Sequence, residues 1–353
     1  MSGRLLRLVC TAAVAAQAAL VPLPAAAAPE PRRPVKDLLT DLHKLYRQAE
    51  QATETYNATD VKLRKQRSAV TRLDGALAQA RLSLQESRGA AGRLARQQYQ
   101  NTSDISAYVQ LLLSRDPQHA LDERHVIGEL ARERAETAAR LAGGTKRADE
   151  LARKARRALD TQLTLAARQK KNRDDVRARL TNVEQMLASL SAEQLTELAR
   201  LEKNETAGAQ NELLASGALG AERAPSQEGN RAVHYAEAQL GKPYQWGAEG
   251  PGSYDCSGLT SQAWNHAGTP IPRTSQEQWA RLPKVSLKNL RPGDLVIYFP
   301  EATHVAMYVG EGTVIQAPRP GERIKLSPLA SNPILGAVRP DQARPAAAAQ
   351  GSA

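Results

Sequence analysis

Asp255-Cys256-Ser257-Gly258 joins a nucleophilic atom to the backbone features that a nucleophile needs. It follows a turn-rich loop, Gly247 to Ser253, and opens a helical pattern. A thiol at a helix N-terminus feels the positive end of the macrodipole, which favours the thiolate. The first-turn N–H groups have no partners inside the helix, so they can face a developing oxyanion. Small neighbouring residues leave room for a substrate carbonyl. Cys10 falls in the leader described below, so the mature chain keeps Cys256 alone and can form no intramolecular disulfide. A buried apolar filler is the alternative role for such a cysteine.

A thiolate nucleophile needs a partner that takes and returns a proton. His304 begins an apolar strand, His-Val-Ala-Met-Tyr-Val. If Gly310-Glu311-Gly312 forms a three-residue turn, position 304 faces position 318, and Gln316 is its diagonal neighbour on the same face. The Gln316 oxygen then accepts from one imidazole nitrogen and turns the other toward Cys256. A two-residue connection would put the two side chains on opposite faces. His266 lies ten residues past Cys256 at the far end of the same helix. His234 sits in the preceding helix, where a structural role is simpler. One cysteine and scattered histidines show no metal-ligand spacing, so neither a metal site nor a cofactor is expected.

The elements that must position these groups lie between about 231 and 340. Ala232 to Leu240 and Cys256 to Ala267 read as helices, the second closed by Gly268. Leu295 to Phe299, Val305 to Val309 and Val314 to Ala317 read as strands, with Pro292-Gly293-Asp294 turning into the sheet. Helices followed by strands predict an α+β domain with an antiparallel sheet. All three Trp and the single Phe lie in this region.

Residues 35–224 have another texture. They hold one proline, Pro117, and are rich in Ala, Leu, Arg, Gln and Glu. Leu73, Leu77, Ala80 and Leu84, then Val176, Leu180, Val183, Leu187 and Leu190, recur at coiled-coil spacing. Asn101 to Pro117 breaks the pattern, with Ser114, Asp116 and Pro117 marking a stop and a new start. The expectation is two long helices folded into an antiparallel coiled coil with short helices near its tip; eighty residues would span roughly 120 Å. A single continuous helix dimerising in parallel is disfavoured by the internal proline. Gly143-Gly144 marks a candidate local break. Residues 204–230 read as a linker, and 341–353 as a disordered tail.

Arg4 and Arg7, an apolar run from Leu8 to about Leu23, and the Ala25–Ala28 run form a secretory leader, residues 1–27. The expected division is 1–27 leader, 28–203 helical arm, 204–230 linker, 231–340 α+β domain and 341–353 tail. The formal net charge of +11 favours polyanionic surroundings. With export, that means an anionic cell wall and not nucleic acid.

The motifs Gly241-Lys-Pro-Tyr244-Gln-Trp246-Gly247, Gly250-Pro251, Tyr254-Asp255-Cys256-Ser257-Gly258-Leu259, Pro272-Arg273-Thr274-Ser275 with Gln278, Pro292-Gly293-Asp294, and His304 through Gly310 together resemble the NlpC-type (NlpC/p60) cell-wall cysteine peptidases. The helical arm is similar to that of actinobacterial secreted members. The resemblance implies a papain-like fold and cleavage within the peptidoglycan stem peptide, usually between γ-D-glutamate and diaminopimelate or lysine. It implies Cys256 as nucleophile, His304 as base and acid, and Gln316 in the third position. Tyr244 would line the site near the oxyanion. Asp255 and Ser257 would bind the stem peptide, and Arg273 and Ser275 would border the groove. For Asp255 the alternative is a helix cap, and for Arg273 a structural ion pair. Ala248 stands where the family often has a second Gly, and the neutral Gln316 replaces a frequent charged or imidazole group. Two other readings remain: a non-catalytic wall-binding scaffold, and a papain-like acyltransferase or amidase. Three roles are open to the arm: shielding the active site, docking to a membrane-bound division or wall-synthesis complex, or acting as a spacer; it is expected to restrain hydrolysis.

Overall fold

The computed structural model describes residues 34–100 and 117–342. The leader, the expected tip segment 101–116 and the tail from 343 lie outside the described residues. Two long helices, α1 (Val35–Gln100) and α2 (Pro117–Ala188), are followed by α3 (Ala192–Ala215). The first two run antiparallel, as shown by the cross-pairs Gln48–Arg179, Thr59–Asn172 and Gln66–Ala158. Leu77, Ala80, Leu84, Val176 and Val183 are buried, as their spacing predicts. Helix α2 continues through Gly143-Gly144. The expected break is absent because packing outweighs the roughly 1 kcal/mol helix penalty of each glycine; the Cβ position of Gly144 lies 3.5 Å from Leu84.

Helix α3 starts on a capping box, in which Ser191 accepts from the Gln194 N–H while the Gln194 side chain accepts from the Ser191 N–H. It runs to Ala215, into the segment expected to be linker. Gln210 holds it to the domain, donating to the Gly312 carbonyl and accepting from the Ala330 N–H. Leu213 and Leu219 add apolar contact. Polar composition hid a helix whose stability comes from this docking.

The C-terminal unit comprises α4 (Gln227–Glu237), α5 (Cys256–His266), α6 (Ser275–Arg281) and six strands: β1 (Lys284–Val285), β2 (Leu295–Tyr298), β3 (His304–Gly310), β4 (Thr313–Gln316), β5 (Lys325–Pro328) and β6 (Ile334–Val338). The sheet is antiparallel throughout, in the order β1-β6-β2-β3-β4-β5. The expected helices-before-sheet order is present. β1, β5, β6 and α6 were not foreseen, because each is too short or too polar to show a period.

Both faces of β2 and β3 are covered. Leu295, Ile297, Val305 and Met307 pack with Leu259, Ala263 and Trp264 of α5 and with Ala232 and Ala236 of α4. Val296, Tyr298, Ala306 and Tyr308 form a second layer with Leu329, against which Leu213 of α3 lies. This two-sided burial explains strands that read as continuous apolar runs. Asp341, which falls in the expected tail, is tied to the domain: it accepts from Ser226 and from Arg291.

Candidate active site

The local sequence builds the head of α5. Asp255 is its N-cap, and its Oδ1 accepts from the Gly258 N–H at 2.7 Å. Residue 258 must be glycine, since a Cβ there would stand 2.2 Å from the Ala248 carbonyl oxygen. The capped turn lies against β3, near enough to Val305, the neighbour of His304, for its backbone N–H to favour the Cys256 thiolate. Cys256 is buried.

The hairpin β3–β4 sets the histidine. Met307 faces Ile315 and Tyr308 faces Val314, then a bulge shifts the register so that Gly310 faces Thr313. Glu311 and Gly312 form the tip, both with positive φ. The tip is thus two residues long, but the bulge restores the register of a three-residue loop. Gln316 therefore shares a face with His304, and His304 Nε2 stands 2.7 Å from Gln316 Oε1. The Gln316 Nε2 points to Ser331 Oγ at 3.4 Å, which orients the amide with its oxygen on the imidazole. An amide oxygen only accepts, so Nε2 carries the hydrogen and Nδ1 is left for other work.

The remaining residues singled out in the sequence converge on the same place. Tyr244 is buried near enough for Cys256 and Asp255 to push its hydroxyl pKa well up, after burial itself. Arg273 forks onto Asp255 (2.7 and 3.0 Å) and donates to Ser257 Oγ at 2.8 Å. Its Nε reaches Glu249 at 3.2 Å. Asp255 both caps the helix and pairs with Arg273, and it accepts from the Gly247 N–H. The Gln278 side chain, fully buried, ties Thr260 to the Pro272 carbonyl. His234 is exposed and paired with Glu237; His266 stacks beside Tyr235 at 5.0 Å.

Sequence reasoning missed the residues that cover this site. Glu50, Glu54 and Asn57 of α1 are spaced four and three apart, on one helix face. All three are buried over the site. Glu54 Oε1 accepts from Ser257 Oγ at 2.6 Å and lies 3.9 Å from Cys256 Sγ. Its Oε2 accepts from the Ser275 N–H at 2.9 Å. Asn57 donates to Asp255 at 3.0 Å. Glu50 Oε1 stands 3.4 Å from His304 Nδ1. Around this plug, Tyr56 meets Trp246 edge-on at 5.2 Å, and Arg64 pairs with Glu249. Arg319 grips Glu202 of α3 with two hydrogen bonds and lies 4.6 Å over the Tyr46 ring. Charged residues on a helix ordinarily read as its solvent face, so only the spacing was available as a signal.

The plug reverses the electrostatics expected of the thiol. Burial, then Glu54, Asp255 and Glu50, raise the Cys256 pKa well above its ordinary value, against the helix N-terminus and the Val305 N–H. Burial lowers His304 to about 4, opposed by Gln316 and Asp255. Burial also raises Glu50 to about 8 and Glu54 to about 7, with Asp255 adding to the second. In this closed arrangement the thiol and the imidazole are both neutral.

Residues 241–337 match the model of the NlpC/P60 family. The probable endopeptidase Cgl2188 of Corynebacterium glutamicum is 48% identical over 98 residues, 28% of this chain and 47% of that protein. The probable endopeptidase Rv2190c of Mycobacterium tuberculosis is 36% identical over 108 residues, 30% of this chain and 28% of that protein. The solved NlpC/p60 domain of the peptidoglycan hydrolase SagA is 32% identical, covering 31% of this chain and 97% of that one, with a TM-score of 0.30. The chain spans about half the length, or less, of these curated relatives.

Proposed function

We propose that this chain, whose residues 241–337 match the NlpC/P60 family model, is a secreted cysteine endopeptidase of the cell wall. It cuts an amide bond in the peptidoglycan stem peptide, the γ-D-glutamyl–diaminopimelate bond being the one its motifs fit. The leader at 1–27 supports export. The heptad spacing and the antiparallel α1–α2 pair support reading the arm as a coiled coil.

The observation that carries the proposal is the meeting of Cys256, at the capped head of α5, with the His304–Gln316 pair on β3 and β4. His304 takes the thiol proton on Nδ1, and the thiolate attacks the amide carbon. The backbone N–H groups of the first α5 turn, with the Tyr244 hydroxyl, hold the oxyanion. The imidazolium then protonates the leaving amine, and water, deprotonated by the same nitrogen, releases the acyl-enzyme. Gln316 keeps the Nε2–H tautomer without adding charge. Asp255, Ser257, Arg273 and Ser275 hold the stem peptide.

None of this proceeds while Glu54 lies against Cys256, so the arm is a lid on the site. The test is mass spectrometry of purified muropeptides incubated with the mature chain, with Glu54→Ala/Asn57→Ala, and with Cys256→Ala in each background. Cleavage that is slow in the mature chain, faster in the lid variant and absent with Cys256→Ala is the expected result. Silence from a folded lid variant whose Cys256 alkylates freely refutes the peptidase reading.

A further inference from the structure

The closed site contains two places that favour a bound proton. His304 Nε2 donates to Gln316, so Nδ1 is either a bare acceptor or, in the imidazolium, a donor. It faces Glu50 Oε1 at 3.4 Å, and both His304 Nδ1 and Glu50 Oε2 are buried without a hydrogen-bond partner. A bare nitrogen against a bare carboxylate would set two lone pairs face to face away from water. One proton therefore sits between Glu50 and His304, and it belongs to the Glu50 carboxyl, raised to about 8, while His304, lowered to about 4, stays neutral. The second place is Glu54. Glu50, Glu54 and Asp255 are three buried carboxylates, and the one guanidinium bonded among them, Arg273, is already forked onto Asp255. Burying the excess negative charge costs more than taking up a proton.

We propose that the arm is a proton-dependent latch: closing traps protons on the Glu50–His304 pair and on Glu54, and opening releases them, so rising pH opens the site. This rests on the reading of the arm as a lid. Glu50 faces Arg47 and Glu54 from its own helix, His304 from β3, Cys256 from α5, Tyr244 from the loop before α5, and Arg319 from the β4–β5 loop. Glu54 faces Asp255, Cys256 and Ser257 at the head of α5, Arg273 in the loop that follows, the Ser275 N–H of α6, and Tyr244. On the freed arm both carboxylates return to the ordinary range near 4.3. Closed-state values raised above open-state values stabilise the closed form at low pH. That stabilisation is lost as pH climbs from the open value to the closed one. His304 works the other way below about 6.5, since its closed-state value is the lower. Two carboxylates outweigh it, so acid still closes the latch. Between pH 6 and 7 the open-to-closed ratio is expected to rise about tenfold or more.

The test is 19F NMR of the mature chain labelled with 5-fluorotryptophan and titrated from pH 5.5 to 9. Trp246 meets Tyr56 across the lid and reports docking, and buried Trp264, bonded to the Gly293 carbonyl, reports the intact core. His43, 3.7 Å from Glu202, is replaced by Gln throughout so that it adds no titration at the lid. The expected result is a Trp246 transition between pH 6 and 8, steeper than one proton, with Trp264 fixed. Glu50→Gln/Glu54→Gln, which mimics the protonated state, stays docked to pH 9. A Trp246 signal that stays docked at every pH, or that titrates identically in the double variant, overturns the latch and leaves the lid standing. If the double variant does not dock, the transition of the Glu-bearing chain decides alone. If Tyr56→Leu fails to move Trp246 at any pH, the lid itself is refuted, and the latch with it.

Discussion

Arg319→Ala removes the cation that fastens the arm to the β4–β5 loop while leaving the catalytic groups untouched. Arg319 makes two hydrogen bonds to Glu202, at 2.7 and 2.9 Å, and lies over Tyr46. The two side chains are 23% and 31% exposed. A charge-assisted fork is worth about 1.5–3 kcal/mol, and this exposure favours the lower end. The stacked guanidinium adds about 0.5–1 kcal/mol. A loss of about 2 kcal/mol raises the open population roughly 30-fold, at about 1.4 kcal/mol per tenfold. The assay is alkylation of Cys256 by iodoacetamide at pH 7, under conditions where opening is fast compared with reaction. The sulfur is buried beneath Glu54 when the arm is down, so the observed rate follows the open fraction. An increase of about 30-fold with an unchanged thermal midpoint of the sheet domain is expected. An unchanged rate, with the thiol of the parent chain already fully reactive, would show that α1 does not cover the site in solution.

Other outcomes follow from the same geometry. Gln316→Leu removes the acceptor for Nε2–H and should lower kcat roughly 10–100-fold in an open-arm background, with little change in KM. Gln316→Glu supplies a carboxylate instead. It raises the His304 pKa, so the acidic limb of the pH–rate profile moves to higher pH, as a kcat/KM profile would show. Arg273→Leu leaves buried Asp255 without its cation, while Glu249 keeps Arg64, and should cost about 3–5 kcal/mol, read from urea unfolding. Gly258→Ala drives a Cβ onto the Ala248 carbonyl and should destabilise the domain by about 2 kcal/mol or more, read as a lowered Tm; full stability would mean that the loop before α5 gives way at no cost.

The local sequence around Cys256 was enough to locate the head of α5, because capping and a tight backbone approach are short-range demands met by Asp255 and Gly258. The diagonal pairing of His304 with Gln316 was legible as well, since alternation along a strand is strict once the register is known. The register itself came from a bulge before a two-residue tip. α3 reads as linker by composition, and it is a helix because Gln210 and Leu213 find partners on the sheet domain. That the arm restrains the site was an expectation, but the residues that do so were invisible. Glu50, Glu54 and Asn57 lie roughly 200 residues before the groups they cover. Nothing in an acidic helix face says that it will be buried. Short-range chemistry is written in neighbouring residues, whereas the state of the thiol depends on which distant surface displaces its water. That surface turns a cysteine suited to ionise into one held neutral, and only the folded chain decides it.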